Sequence, residues 1–155
     1  MNTPNNKRGQ ETVQKIEDAF VTLLQEKLLH EIGVSELCEL AQINRSTFYA
    51  HYNNVEALAN TFAEKTVKMV QARSGATEDY AWIFACIKEH PRHFNAYFKL
   101  GIRTVNADYK TLFLRSAVHG VAKLWFEGGC VESVEKMGIL IMREIKRPST
   151  DNVLL

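Results

Sequence analysis

The chain has 155 residues, of which 46% are hydrophobic and 24% charged, with a formal net charge of +1; this suits a soluble globular domain with a core of its own. No apolar run approaches the roughly 20 residues of a membrane-spanning helix, and the opening MNTPNNKRGQ lacks the apolar stretch of a secretory signal, so a cytoplasmic protein without a membrane partner is expected. Cys38, Cys86 and Cys130 stand too far apart for a disulfide framework or a CxxC metal knuckle and read as buried thiols.

Helical periodicity runs through the chain with almost no β-type alternation, which predicts an all-α fold. After a polar arm carrying Lys7 and Arg8, the residues Val13, Ile16, Phe20, Leu23, Leu24 and Leu28 form one apolar stripe, predicting a first helix from about Glu11 to Leu29. Val34, Leu37, Cys38 and Ala41 then mark a second helix of two to three turns. Asn44 is a suitable N-cap for a third over Arg45 to Tyr52, and Asn53 or Asn54 for a long fourth reaching about Arg73. The clearest break is SGAT at 74–77. Helices are predicted near 78–90 and 91–103, with Pro91 in the first position of the latter. A stripe from Tyr109 to Glu127 closes at Gly128 and Gly129, and a last helix covers about Ser133 to Lys146.

The stretch Asn44 to Tyr52, NRSTFYAHY, concentrates the polar chemistry. At about 100° per residue, Phe48 and Tyr52 form a buried edge, while Ser46, Thr47 and Ala50 make a slim opposite face flanked by Tyr49 and His51. A major groove admits a helix with a slim leading face, and longer flanking donors reach its phosphate walls. The same pattern fits a surface helix facing only water. A short helix, a turn of about three residues and a second capped helix are together the helix-turn-helix arrangement, in which the second helix reads the DNA.

The run VSELCELAQINRSTFYAHYNNVEAL, Val34 to Leu58, resembles the DNA-binding module of TetR-type (TetR/AcrR) transcriptional regulators. The reading helix of that family carries a Thr-aromatic-Tyr-x-His-aromatic string, matched here by Thr47, Phe48, Tyr49, His51 and Tyr52, and the resemblance covers roughly residues 8 to 70. It implies that Thr47, Tyr49 and His51 contact DNA backbone or bases, that Arg45 and Ser46 determine sequence choice, and that Lys7 and Arg8 lie along a neighbouring groove. Two positions depart from the family: Gln42 stands where a glycine with positive φ is usual, and Val55 where a lysine usually opens the fourth helix. Residues 1–54 carry five basic against seven acidic side chains, so any DNA-binding surface is a local patch.

The expected division is an arm and helix-turn-helix domain at 1–54, then a linker helix and a short dimerisation and effector domain at 55–155. The resemblance implies that the last two helices pair with those of a second copy, with Phe113, Ala117, Val121 and Leu124 on one helix and Met137, Ile141, Met142 and Ile145 on the other. Intrachain core is the alternative for the same residues. Trp82, Phe94, Tyr97 and Phe98 are candidates for an effector pocket, taking a small molecule or replaced by a protein partner, although aromatics at helical spacing equally suit core. His90 and His93 lack further metal ligands in sequence, and no Walker loop, GxSxG elbow or HExxH pair is present, so neither a metal, a cofactor nor an enzymatic activity is expected. The expected function is a homodimeric repressor of nearby genes that binds a palindromic operator in double-stranded DNA. The alternatives are an activator or co-regulator controlled by a protein partner, and a helical interaction protein that no longer binds DNA.

Overall fold

A computed structural model describes residues 4–73, 80–101 and 109–146, and these residues form an all-α protein with no strand among them. The helices are α1 (Pro4–Glu26), α2 (Val34–Ala41), α3 (Arg45–Tyr49), α4 (Val55–Gln71), α5 (Ala81–Glu89), α6 (Pro91–Leu100), α7 (Tyr109–Glu127) and α8 (Val134–Lys146), with a 3-10 turn at Leu29–Glu31. Prolines open α1 and α6, where a fixed φ suits the first turn and the missing N–H has no partner to lose. The break expected at 74–77 lies outside the described residues.

Packing divides the chain into two compact units, Met1–Lys68 with Pro91–Arg103, and Met69–His90 with Thr104–Leu155. The first unit thus takes in most of α4 and all of α6. Its core joins Ile16, Phe20, Leu23 and Leu24 of α1 to Leu37 and Cys38 of α2, Phe48, Leu58 and Phe62, and to Ala96 and Leu100 of α6. Phe20 and Phe62 meet edge to face at 5.8 Å. Polar bonds also hold α6 on α1: Asn95 Nδ2 donates to Gln25 Oε1 at 2.9 Å, and Lys99 Nζ to the Gln25 carbonyl at 2.7 Å. From α4, buried Thr66 donates its hydroxyl to the Phe62 carbonyl at 2.8 Å and lies 2.8 Å from His93 Nε2.

In the second unit α5 packs on α7 and α8. Phe84 meets Trp125 edge to face at 5.1 Å, and the Trp125 indole N–H donates to the Glu132 carbonyl at 3.0 Å. Gly138 lets α8 approach the α5 backbone: a Cβ there would come within 2.4 Å of Ala81 N. The end of α7 falls as predicted, with Gly129 at φ 83 and the Cys130 N–H bonded to the Trp125 carbonyl at 2.9 Å.

Candidate nucleic-acid interface

The turn between α2 and α3 is set by three residues. Gln42 adopts the left-handed conformation (φ 54, ψ 47). Its N–H reaches the Glu39 carbonyl at 3.1 Å, and the Ile43 N–H reaches that of Cys38 at 3.0 Å. This is a Schellman ending, which satisfies the last carbonyls of α2 and turns the chain sharply. It normally carries glycine, because a Cβ in this region crowds the carbonyl that follows. Gln42 therefore keeps the turn geometry at the cost of strain. Ile43 packs on the core beside it.

Asn44 has the extended dihedrals of an N-cap (φ −78, ψ 153), but its side chain makes no capping bond; its carbonyl instead accepts from Thr47 N–H at 3.0 Å and Phe48 N–H at 3.1 Å. The expected side-chain cap is thus corrected to a backbone one. Asn54 does cap α4, through Oδ1 to the Ala57 N–H at 2.8 Å. Helix α3 is also shorter than predicted. It ends at Tyr49, and Ala50 to Tyr52 continue as a turn in which both His51 and Tyr52 N–H groups donate to the Phe48 carbonyl at 2.9 Å.

Two side chains seat this segment. Phe48 is fully buried and Tyr52 nearly so, as the helical wheel requires. The Tyr52 hydroxyl lies 3.4 Å from Glu17 Oε1 on α1, and the same carboxylate oxygen pairs with Lys65 of α4. Burial, then the Glu17 charge and its hydrogen bond, push the Tyr52 phenol up to about 12. Glu17 thereby links three elements, a role that no local pattern in the sequence signals.

The opposite side is open. Arg45, Ser46, Tyr49 and His51 are exposed and Thr47 is half-buried. Among the described residues none of these five side chains has a hydrogen-bond or ion-pair partner within the chain. Elsewhere the helix hydroxyls of Thr12, Thr22, Thr61, Thr66 and Ser116 each donate to the carbonyl four residues earlier. Ser46 and Thr47 sit in a first turn, before which the helix has no carbonyl to offer, so their hydroxyls stay available to an external partner.

Lys7 and Arg8 are exposed, but they lie on α1 rather than on a preceding arm. Lys7 falls in the helical row of Gln10, Gln14 and Glu17, and those last three face a groove of about 530 Å3 shared with His51 and Lys65. Residues of the N-terminal half of α1, Val13 among them, thus border one groove together with His51. Gln42 and Asn44 line a separate depression with Thr47; neither they nor Gln10 stand out in the sequence as DNA contacts, and Gln42 is marked there only as foreign to its turn.

The remaining candidates are distributed as follows. Met137 and Ile141 are buried within their own unit, whereas Phe113 and Leu124 are 70% and 72% exposed; Ala117 and Ile145 are also exposed, and Val121 and Met142 half-buried. Phe94 and Phe98 are buried and Tyr97 half-buried in the first unit, while half-buried Trp82 belongs to the second. His93 stacks on Phe62 at 4.5 Å, and the described residues hold no cluster of His, Cys, Asp and Glu able to bind a metal. No described helix is long and apolar enough to cross a membrane.

Over 65 residues the chain is 38% identical to the HTH-type dhaKLM operon transcriptional activator DhaS of Lactococcus lactis subsp. lactis (strain IL1403). The likeness is to a transcription regulator, not to an enzyme. The match covers 39% of this chain and 35% of that protein, so the chain spans about a third of its relative's length. No protein-family model matches the chain, and no solved structure gives a significant match.

Proposed function

We propose that this protein is a TetR-like regulator of transcription that binds a palindromic operator as a homodimer and adjusts that affinity through its second unit. The observation that carries the DNA-binding reading is the uncommitted polar face of Arg45, Ser46, Thr47, Tyr49 and His51 on a short helix fixed from behind by Phe48 and Tyr52. A helix with these properties, following a three-residue turn, suits the major groove. Lys7 and Arg8 supply phosphate contacts from α1. Repression of nearby genes by occlusion of the operator is the first reading of the regulatory sign.

Selection of bound sequences from a random duplex pool tests the proposal. The expected product is an inverted repeat with half-sites about 10 base pairs apart, bound with an affinity that falls steeply as salt rises. Arg45→Ala should relax preference at one position per half-site, at a cost of about 1–3 kcal/mol if it reads a base. Because Arg45 is exposed, folding stability should stay within roughly 0.5 kcal/mol of wild type. Retention that is insensitive to salt and survives Arg45→Ala combined with Tyr49→Ala would leave the interaction-protein reading.

The relative's description as an activator favours a second reading of the sign, in which this protein recruits rather than blocks. A reporter driven from the selected operator separates the two. Expression that rises with the protein means activation, and expression that falls means repression.

A further inference from the structure

The DNA-binding reading leaves Gln42 unexplained. Its backbone has φ 54 and ψ 47, a conformation that glycine adopts freely and a Cβ strains, and no Cβ-dependent packing compensates, since Gln42 is exposed. Its carboxamide has no hydrogen-bond partner among the described residues. The side chain faces outward over a shallow depression of about 370 Å3, which it lines with Glu39, Asn44 and Thr47. Strain kept at an exposed position, with nothing inside the molecule to gain from it, points to a partner outside.

Resting on the proposed DNA-binding function, we infer that Gln42 is a DNA-backbone contact whose carboxamide N–H donates to a phosphate. Position decides between backbone and base. Gln42 caps the end of α2, and in a helix-turn-helix the first helix crosses the backbone while the first residues of the second reach base edges. Thr47 shares its depression. Glu39 occupies the same spot, so a cation placed there would pair with that carboxylate; a neutral amide remains free to donate. Neutral donors position a protein on DNA without adding to counterion release.

The test compares wild type, Gln42→Gly and Gln42→Ala on the duplex selected by the wild-type protein and on unrelated duplexes. Gln42→Gly relieves the backbone and should raise Tm by roughly 2–4 °C. Gln42→Ala retains the Cβ and the strain, so its Tm should stay near wild type. Both should bind every duplex about three- to tenfold more weakly per half-site engaged, the loss of one hydrogen bond from an uncharged donor at each, with an unchanged slope of affinity against salt. Lys7→Ala, by contrast, removes a cationic phosphate contact and should make that slope shallower. Unchanged or tighter binding by both variants overturns the inference, and so does a loss confined to one base position, which would make Gln42 a base reader. If wild type binds no duplex, the DNA-binding function itself falls, and this inference with it; wild-type binding with silent Gln42 variants removes the inference alone.

Discussion

At the scale of single residues, the segment from Arg45 to Tyr52 combines buried seating residues with an exposed polar face. Tyr52 shows the seating. Its phenol is held neutral because burial and the Glu17 carboxylate both penalise the phenolate. A group whose pKa is raised on folding contributes stability that is complete below its unfolded value, about 10 for tyrosine, and lost as pH climbs through the folded value, about 12 here. Urea unfolding at pH 9 and pH 11 should therefore show a loss of stability in wild type that is smaller in Tyr52→Phe. Equal losses in the two proteins would mean that Tyr52 does not set the alkaline limb. Phe48→Ala addresses the same seat from the apolar side. Phe48 is fully buried, and its truncation should cost about 3–5 kcal/mol, enough to lower the denaturation midpoint sharply whatever the DNA contacts contribute.

At the scale of elements, helix boundaries were legible wherever a physical signal is local. The end of α7 at Gly128 and Gly129, the start of α6 at Pro91 and the buried edge of Phe48 and Tyr52 all follow from glycine, proline or apolar spacing. The start of α1 was not legible, because PNNKRGQ contains no apolar residue with which to show a stripe, although the helix begins there. Nor was the use of Asn44, whose side chain leaves capping to its carbonyl, or the coupling of Glu17 to residues 35 and 48 positions away. Such contacts depend on how helices pack, which spacing within one helix does not record. Gly138 is a further case. Read from the sequence alone, a glycine inside a helix would favour Gly→Ala by about 1 kcal/mol through propensity. Here the added Cβ would meet Ala81 N at 2.4 Å and Ala81 Cα at 2.8 Å, both backbone atoms that cannot swing aside. Gly138→Ala should accordingly destabilise, by about 1–3 kcal/mol from overpacking, and thermal unfolding gives the sign directly. A higher Tm would mean that α5 and α8 are less closely apposed than described.

At the scale of the whole molecule, the proposed dimer depends on what the second unit leaves uncovered. Phe113, Ala117, Gly120 and Leu124 recur at steps of four, three and four along α7, and all are exposed; Ile139 and Ile145 of α8 are exposed as well, at 55% and 37%. Met137 and Ile141 are already part of their own unit's core; Ile139 lies across α8 from them, and Ile145 one turn beyond Ile141. The sequence pattern ran these two sides together, since MGILIM is apolar nearly all round and periodicity alone does not say which side is used within one chain. The division makes the proposal sharper. A two-fold interface uses the same patch on both copies, so one charge introduced into the outward row appears twice, close to its symmetry mate, with no partner to neutralise it. Leu124→Glu should shift sedimentation from dimer to monomer while leaving the helical circular dichroism of the monomer in place, because Leu124 has 72% of its surface exposed to begin with. Met137→Glu should instead unfold its unit, since that charge enters a core from which water is excluded. The consequence for DNA follows from geometry: a dimer that engages both half-sites holds the operator through an intramolecular second contact, and a monomer does not. Leu124→Glu should then lose at least about a hundredfold in affinity for the full palindrome while binding an isolated half-site as wild type does. If the variant remains dimeric, or if a monomer binds the palindrome undiminished, the α7 and α8 face is not the interface that pairs the reading helices.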